Sequence, residues 1–242
     1  EMHIEEDTCK SAHRGTKTLL DFNRAGVPLI EIVTKPCMTS GEEAKLYLEK
    51  LRELLFYGNI SDCKIEEGSM RADANVSIRK NVEDSFGTKV EIKNIGSISN
   101  VKLSIEKEIV RQEQLIEKGE KFKPQTRRFD DKLQDTVLMR VKETGNDYRY
   151  FPEPDIPFVI ITDEMIENAK KEIPMLPDER RKIYLEKGVS EINAQKLIQN
   201  RSLSDYFNTL LSEKTNFKIV SNLLLGDISA YLNKTEKSIT ET

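Results

Sequence analysis

Residues 66–79, EEGSMRADANVSIR, decide how the middle of the chain folds. From Met70 onward the pattern alternates strictly, which predicts a strand over 70–79. One side carries Met70, Ala72, Ala74, Val76 and Ile78, the other Arg71, Asp73, Asn75, Ser77 and Arg79. The apolar side is ordinary for a strand that covers a core. The polar side is not. A merely solvated face carries Lys, Glu, Thr and Gln in no particular order, whereas short Asp, Asn and Ser side chains interleaved with two arginines suit a lining that holds something charged.

Working outward, a turn around 84–87 and a second strand over 88–95 predict an antiparallel hairpin with a loop of several residues. Ser40 followed by Glu43 makes a capping box, and Ala44, Leu48, Leu51 and Leu55 continue at helical spacing to Gly58. After the hairpin, Val101, Ile105, Ile109, Leu115 and Ile116 predict the apolar stripe of an amphipathic helix that ends at Gly119. Residues 136–142 alternate again, with Val137, Met139 and Val141 expected on one face. Near the start, 29–33 is β-branched and reads as a strand buried on both faces, with a lone Glu31 in its middle. NDYRYFPEPDIP then closes the section with three prolines.

Beyond Pro157 strand signals fade after Val159-Ile160-Ile161, and short capped helices are expected at 177–187, 190–199, 204–211 and 217–232. A domain boundary is therefore placed at 157–174. The expected fold class is α+β: a mainly antiparallel sheet with flanking helices over 1–160, followed by an all-helical domain over 174–242.

With 242 residues and 37% hydrophobic content, there is enough material for one large domain or two. No apolar run approaches the roughly 18–20 residues that a membrane-spanning helix needs, and no membrane partner is expected. The opening EMHIEED has neither a starting Met nor a signal-peptide pattern, so the chain is expected to be an internal piece of something longer. Cys9, Cys37 and Cys63 are odd in number and form no Cys-x-x-Cys pair, which argues against disulfides and structural zinc and favours a reducing compartment. The formal net charge of −4 shows no overall basic bias, so any nucleic-acid contact must come from local patches.

Several carboxylates are unexplained by local pattern: Glu5-Glu6-Asp7, Glu31, Glu66-Glu67, Asp73 and Glu91. A lone carboxylate buried unpaired in mid-strand costs several kcal/mol, so Glu31 and Glu91 need a positive partner. Lys35, Lys93, Arg71 and Arg79 are candidates within the chain. A divalent cation is the other, and carboxylates without nearby Cys or His suit Mg²⁺ better than zinc. Ordinary salt bridges on edge strands explain the same pattern. Arg71 and Arg79 fit either a clamp on phosphoryl or carboxylate groups or pairing with Asp73. Tyr148, Arg149, Tyr150 and Phe151 fit either stacking on a base or packing under the prolines. No Walker A loop, Gly-x-Gly-x-x-Gly or Gly-x-Ser-x-Gly is present. With only His3 and His13 as histidines, a serine or cysteine hydrolase is disfavoured.

On HIEEDTCK, DFNRAGVPLIEIVTKP, EEGSMRADANVSIR, GTKVEIKNIGS and DYRYFPEPDIP, in that order, and on MLPDERRKIYLEKG and LLLGDISAYLN beyond them, the chain resembles the GatB/GatE family. This family provides the B subunit of glutamyl/aspartyl-tRNA amidotransferase. The resemblance implies ATP-dependent amide synthesis on Glu misacylated to tRNA(Gln), or Asp misacylated to tRNA(Asn), with ATP and Mg²⁺. It also implies two protein partners, an amidase (the A subunit) that supplies ammonia and a small C subunit, and a broadly glutamine-synthetase-like cradle. The setting implied is the bacterial cytoplasm or an organelle matrix. Carried over by motif, Glu6, Glu31 and Glu91 are expected metal ligands, and Arg71, Asp73 and Lys93 catalytic groups. Asn75, Arg79, Asn94, Tyr148 and Arg149 are expected substrate or nucleotide contacts. Lys182, Lys187, Lys196 and Arg201 are the candidate tRNA phosphate contacts, although near-balanced charge from Pro174 onward, 10 Lys and Arg against 9 Asp and Glu, equally fits a plain helical spacer. The family pattern usually reads closer to EEDAGK and RCD where this chain has EEDTCK and RAD. It also carries a preceding Glu-x-His strand and a following tail domain. The competing expectation is a noncatalytic tRNA-binding scaffold whose carboxylates only build salt bridges.

Overall fold

The computed structural model describes residues 1–142 and 156–239, so Tyr148 and Arg149 lie outside the described residues. The chain divides into two compact units, Glu1–Thr39 and Ser40–Thr242.

In the first unit, β1 (Met2–Glu6) pairs antiparallel with β4 (Pro28–Ile32), and β2 (Lys10–Arg14) with β3 (Lys17–Asp21). The β2–β3 hairpin closes through two residues, with Gly15 at φ +59° supplying the left-handed position such a turn requires. The expectation that 29–33 is buried on both faces does not hold within this unit. A two-stranded ribbon has no covering layer, and Leu29 and Ile32 are half-buried while Ile30 and Glu31 are exposed.

The second unit begins with α1 (Gly41–Tyr57), whose N-cap Ser40 accepts a hydrogen bond from the Glu43 amide as the capping box predicts. A four-stranded sheet follows in the order β5 (Ala74–Val76), β6 (Val90–Lys93), β7 (Gln125–Asp130), β8 (Asp135–Val141). The β5–β6 and β7–β8 pairs are antiparallel, but β6 and β7 are parallel, joined by the crossover helix α2 (Ile98–Glu117). The 70–79 strand thus shortens to three residues. Its ladder gives way to a loop closed by the Arg79 guanidinium on the Asp84 carbonyl and by Asn81 on the Asp84 carboxylate.

The predicted faces of β5 nevertheless stand: Ala74 and Val76 are buried with Val90, Ile92 and Phe129, while Asp73 and Asn75 are exposed. Helix α2 packs against β5, β8 and α1, but not through the expected stripe. Val101 is buried, whereas its companions on the buried side are Ser104, Glu108 and Gln112; Ile105, Ile109 and Leu115 are only half-buried and Ile116 is exposed. Pairing makes this polar face tolerable. Arg111 holds fully buried Glu108 in two hydrogen bonds of 2.8 and 2.7 Å, Gln112 donates to it at 2.9 Å, and Arg127 approaches it at 3.5 Å.

The remaining helices are α3 (Asp163–Glu172), α4 (Pro177–Glu186), α5 (Glu191–Gln199), α6 (Arg201–Thr209) and α7 (Phe217–Leu223), followed by a π turn (Leu224–Ile228) and α8 (Ser229–Thr235). Helix α6 starts three residues before the sequence expectation because Asn200 caps it, accepting from the Leu203 amide at 3.1 Å. Tyr184, Leu197, Ile198, Phe207 and Phe217 form their core. Tyr57 from the end of α1 joins that core and donates to the Ile198 carbonyl at 2.8 Å. Among the described residues no helix is long and apolar enough to cross a membrane.

Candidate functional site

The outer face of the four-stranded sheet carries one polar row. Asn75, Glu91, Thr126 and Arg140 stand opposite one another on β5, β6, β7 and β8. Glu91 is the best buried of the charged groups here, its side chain 13% exposed. Lys93 approaches Oε1 at 3.3 Å, Lys142 approaches Oε2 at 2.9 Å, and the Thr126 hydroxyl donates to Oε2 at 3.0 Å. Burial pushes the Glu91 carboxyl upward, but the Lys142 hydrogen bond, the Lys93 charge and the Thr126 hydroxyl outweigh it and hold the pKa at about 2. Lys93 also donates to Asp73 at 2.8 Å, so Asp73, Lys93, Glu91 and Lys142 form one alternating chain of charge. Burial pulls the Lys93 ammonium downward, and Asp73 and Glu91 more than reverse it.

A one-residue bulge decides which side chains reach this row. Across β7 and β8 the register runs Arg128↔Val137 and Arg127↔Leu138, then jumps to Thr126↔Arg140, leaving Met139 unpaired. Before the bulge the odd-numbered residues of β8 share the Glu91 face, and after it the even-numbered ones do. The expectation that Val137, Met139 and Val141 share a face is therefore corrected: Val137 lies on the Glu91 side and Val141 on the reverse. Lys142, two residues beyond Arg140, arrives on the side of Glu91 for the same reason. Pattern reading selected Glu91, Lys93, Asp73 and Asn75 but missed Thr126 and Lys142, because a bulge leaves no mark in residue alternation.

The other predicted groups near this face sit differently. Asn94 follows β6 in a left-handed conformation, φ 58°, and is exposed. Arg79 turns back over its own loop, 4.5 Å from the centre of the Phe86 ring. Arg71 is exposed at the approach to β5.

In the first unit the β1–β4 register sets His3 opposite Glu31, and alternation brings Glu5 to the same side. His3 Nε2 lies 3.0 Å from Glu5 Oε1 and 2.8 Å from Glu31 Oε2, and one donor atom from each residue fits within a 4.8 Å cluster. Two carboxylates and an imidazole are a donor set that a divalent cation accepts. The oxygens suit Mg²⁺, with water filling further positions, and the imidazole suits Mn²⁺ or Zn²⁺ better. Glu6, placed among the metal ligands on motif grounds, stands opposite Pro28 and by alternation faces away from this cluster. The period-two spacing of His3 and Glu5 was a legible signal; only the pairing with β4 adds Glu31.

The model of the family described as "GatB/GatE catalytic domain" matches residues 1–167. The chain belongs to the GatB/GatE family. Curated relatives, each named as the B subunit of aspartyl/glutamyl-tRNA(Asn/Gln) amidotransferase, include those of Lysinibacillus sphaericus, 46% identical over 242 residues, and Lactiplantibacillus plantarum, 47% identical over 243. A third, from Bacillus mycoides, is 44% identical over 241 residues. These alignments cover 99–100% of this chain but 51% of each relative, so the chain spans about half their length.

The GatB/GatE match takes in both the polar row and the His3–Glu5–Glu31 cluster, whereas α4 to α8 lie beyond it. Of the four cations proposed there for tRNA phosphates, Lys182 and Lys196 are exposed. The Lys187 ammonium lies 5.3 Å from the centre of the Phe217 ring. Arg201 is engaged inside the protein, donating to the Phe56 carbonyl at 2.7 Å and lying 5.6 Å from the centre of the Tyr57 ring.

Proposed function

We propose that this GatB/GatE chain carries the phosphorylating and amide-forming half of a tRNA-dependent amidotransferase. The family match over residues 1–167 carries the reading, and the names of the curated relatives support the substrate class. The side-chain carboxylate of Glu on tRNA(Gln), or of Asp on tRNA(Asn), attacks the γ-phosphorus of ATP and releases ADP. Ammonia from the partner amidase, the A subunit, then attacks the acyl carbon, and phosphate leaves. The small C subunit completes the assembly, in the bacterial cytoplasm or an organelle matrix.

Phosphoryl transfer asks the protein mainly for positioning and charge neutralisation. Lys93, oriented by Asp73 at 2.8 Å, supplies a positive group on the sheet face, and Arg71, exposed ahead of β5, is assigned a second by its motif. In the first unit Glu31 is a proposed cation ligand, with His3 and Glu5 added by the geometry there; in the second, Glu91 is assigned a cation by its motif alone. A Mg²⁺ ion held by these carboxylates would offset the negative charge of the phosphates. Asn75, Arg79, Asn94, Tyr148 and Arg149 are assigned to the nucleotide and the aminoacyl end, and Lys182, Lys187 and Lys196 to tRNA phosphates, while Arg201, bound to the Phe56 carbonyl, is left out of that group.

One observation favours a second reading, the noncatalytic tRNA-binding scaffold: both Glu91 oxygens already meet ammonium groups. Glu91→Gln in the complete complex separates the two. The catalytic reading expects transamidation to disappear while glutaminase activity and tRNA binding persist. Unchanged transamidation removes the catalytic assignment and leaves the scaffold.

A further inference from the structure

The polar row presents positive charge outward. Both Glu91 oxygens are taken, Oε1 by Lys93 at 3.3 Å and Oε2 by Lys142 at 2.9 Å, and the carboxylate is less exposed than either lysine, 13% against 37% and 23%. An ammonium has three donors. Lys93 directs two of its donors to Asp73 and Glu91, and Lys142 directs one to Glu91, so neither is saturated among the described residues. Arg140 stands one strand further on, opposite Thr126, and reaches the same face because the register has jumped at Met139. It is exposed and meets no acidic or hydrogen-bonding partner among the described residues. Arg128, beside Lys93 in the β6–β7 register, is by contrast paired with Asp130 at 2.9 Å. Three cations, Lys93, Lys142 and Arg140, thus face two anions, Glu91 and Asp73, and Arg140 is the one in excess.

We propose that Arg140 and Lys142 are phosphate-binding groups, and that with Lys93 they form a site above Thr126 for the terminal phosphate of a polyphosphate. The proposal rests on the phosphorylating reading, which supplies a nucleotide as the ligand, and it adds two residues that neither motif nor alternation selected. Thr126 is 1% exposed, so the floor of the site is closed to water. The guanidinium offers a planar fork and the ammonium groups offer point charges to the phosphate oxygens. Glu91 already holds both ammonium groups, so little side-chain freedom is lost when an anion arrives. A terminal phosphate carries about two negative charges and suits cations gathered around one threonine. A phosphodiester backbone carries one charge per phosphate and is met by cations spaced along a groove. The bulge at Met139 is what builds the site, since without it Arg140 and Lys142 would point to the reverse side of the sheet.

The test is calorimetric titration of the full chain with inorganic triphosphate in metal-free buffer, for wild type, Arg140→Gln and Lys142→Met, with a short RNA duplex titrated alongside. Wild type is expected to bind triphosphate, and each variant to bind it about tenfold more weakly. Unchanged affinity in both variants, or no binding by wild type, overturns the site. Weakened duplex binding with unchanged triphosphate binding assigns the face to RNA and overturns it as well. Wild-type protein gives a readout that needs no variant: phenylglyoxal modification of Arg140, followed by peptide mass spectrometry, is expected to slow at saturating triphosphate. Constant Arg140 reactivity overturns the proposal. The phosphorylating reading is judged separately, by transamidation in the complete complex carrying Glu91→Gln. Loss of transamidation there, with triphosphate binding indifferent to Arg140 and Lys142, removes the site and leaves that reading standing.

Discussion

Thr126 and Glu91 stand side by side in parallel register on β7 and β6, and the threonine hydroxyl donates to Glu91 Oε2 at 3.0 Å. Thr126 is 1% exposed, so this hydroxyl has no water to turn to, and the carboxylate is held from the buried side as well as by its lysines.

Thr126→Val keeps the shape and removes the donor. A loss of about 1 kcal/mol in urea denaturation is expected, with Thr126→Ser retaining most of it. The Glu91 carboxyl should also titrate at a higher pH than in wild type, measurable by side-chain carboxyl NMR. An unmoved titration would mean that the lysines alone set it.

Acid stability follows from the same group. The Glu91 pKa is lowered from 4.5 to about 2 in the folded protein. A depressed folded pKa means stability that is fully present above the unfolded value and is lost as pH falls through the folded one. Denaturation curves between about pH 5 and pH 2 should show wild type losing stability that Glu91→Gln never had. Parallel pH profiles for the two proteins would refute this.

Glu108 is fully buried beneath the sheet, between Arg111 and Arg127. Glu108→Ala leaves two poorly solvated guanidinium groups without their anion, and a loss of about 3–5 kcal/mol is expected in chemical denaturation. A loss below about 1 kcal/mol would show that the arginines find other partners.

Gly41 begins α1 where a Cβ would lie 2.5 Å from the Lys102 carbonyl oxygen on α2. Alanine is the better helix former, yet Gly41→Ala is expected to lower stability by about 1–3 kcal/mol because two backbones must separate. A rise in melting temperature would contradict the close approach of α1 and α2.

The basic residues of the C-terminal helices separate into two groups. Lys182→Ala and Lys196→Ala should leave the melting temperature unchanged, and any loss of tRNA affinity should shrink as salt is raised. Arg201→Ala should lower the melting temperature, since it removes the bond to the Phe56 carbonyl and the contact with Tyr57. A stable Arg201→Ala protein with weakened tRNA binding would return Arg201 to the RNA-facing group.

Local chemistry made some of this molecule readable in advance. Ser40 with Glu43 marked the start of α1, the alternation of Ala74, Asn75 and Val76 assigned the faces of β5, and lone carboxylates drew attention to Glu31 and Glu91. The motif strings placed the chain in its family. Each of these depends on residues within one turn or one strand of each other, or on the literal order of letters. Tertiary structure alone decided the rest. Glu108 and Gln112 are core residues only because Arg111, Arg127 and the Val76 carbonyl come to meet them. Glu31 joins His3 and Glu5 only through the pairing of β1 with β4. Lys142 reaches Glu91 only because the strand slips by one residue at Met139. Polar burial, cross-strand register and bulges are set by partners distant in the chain, and no local pattern carries that information.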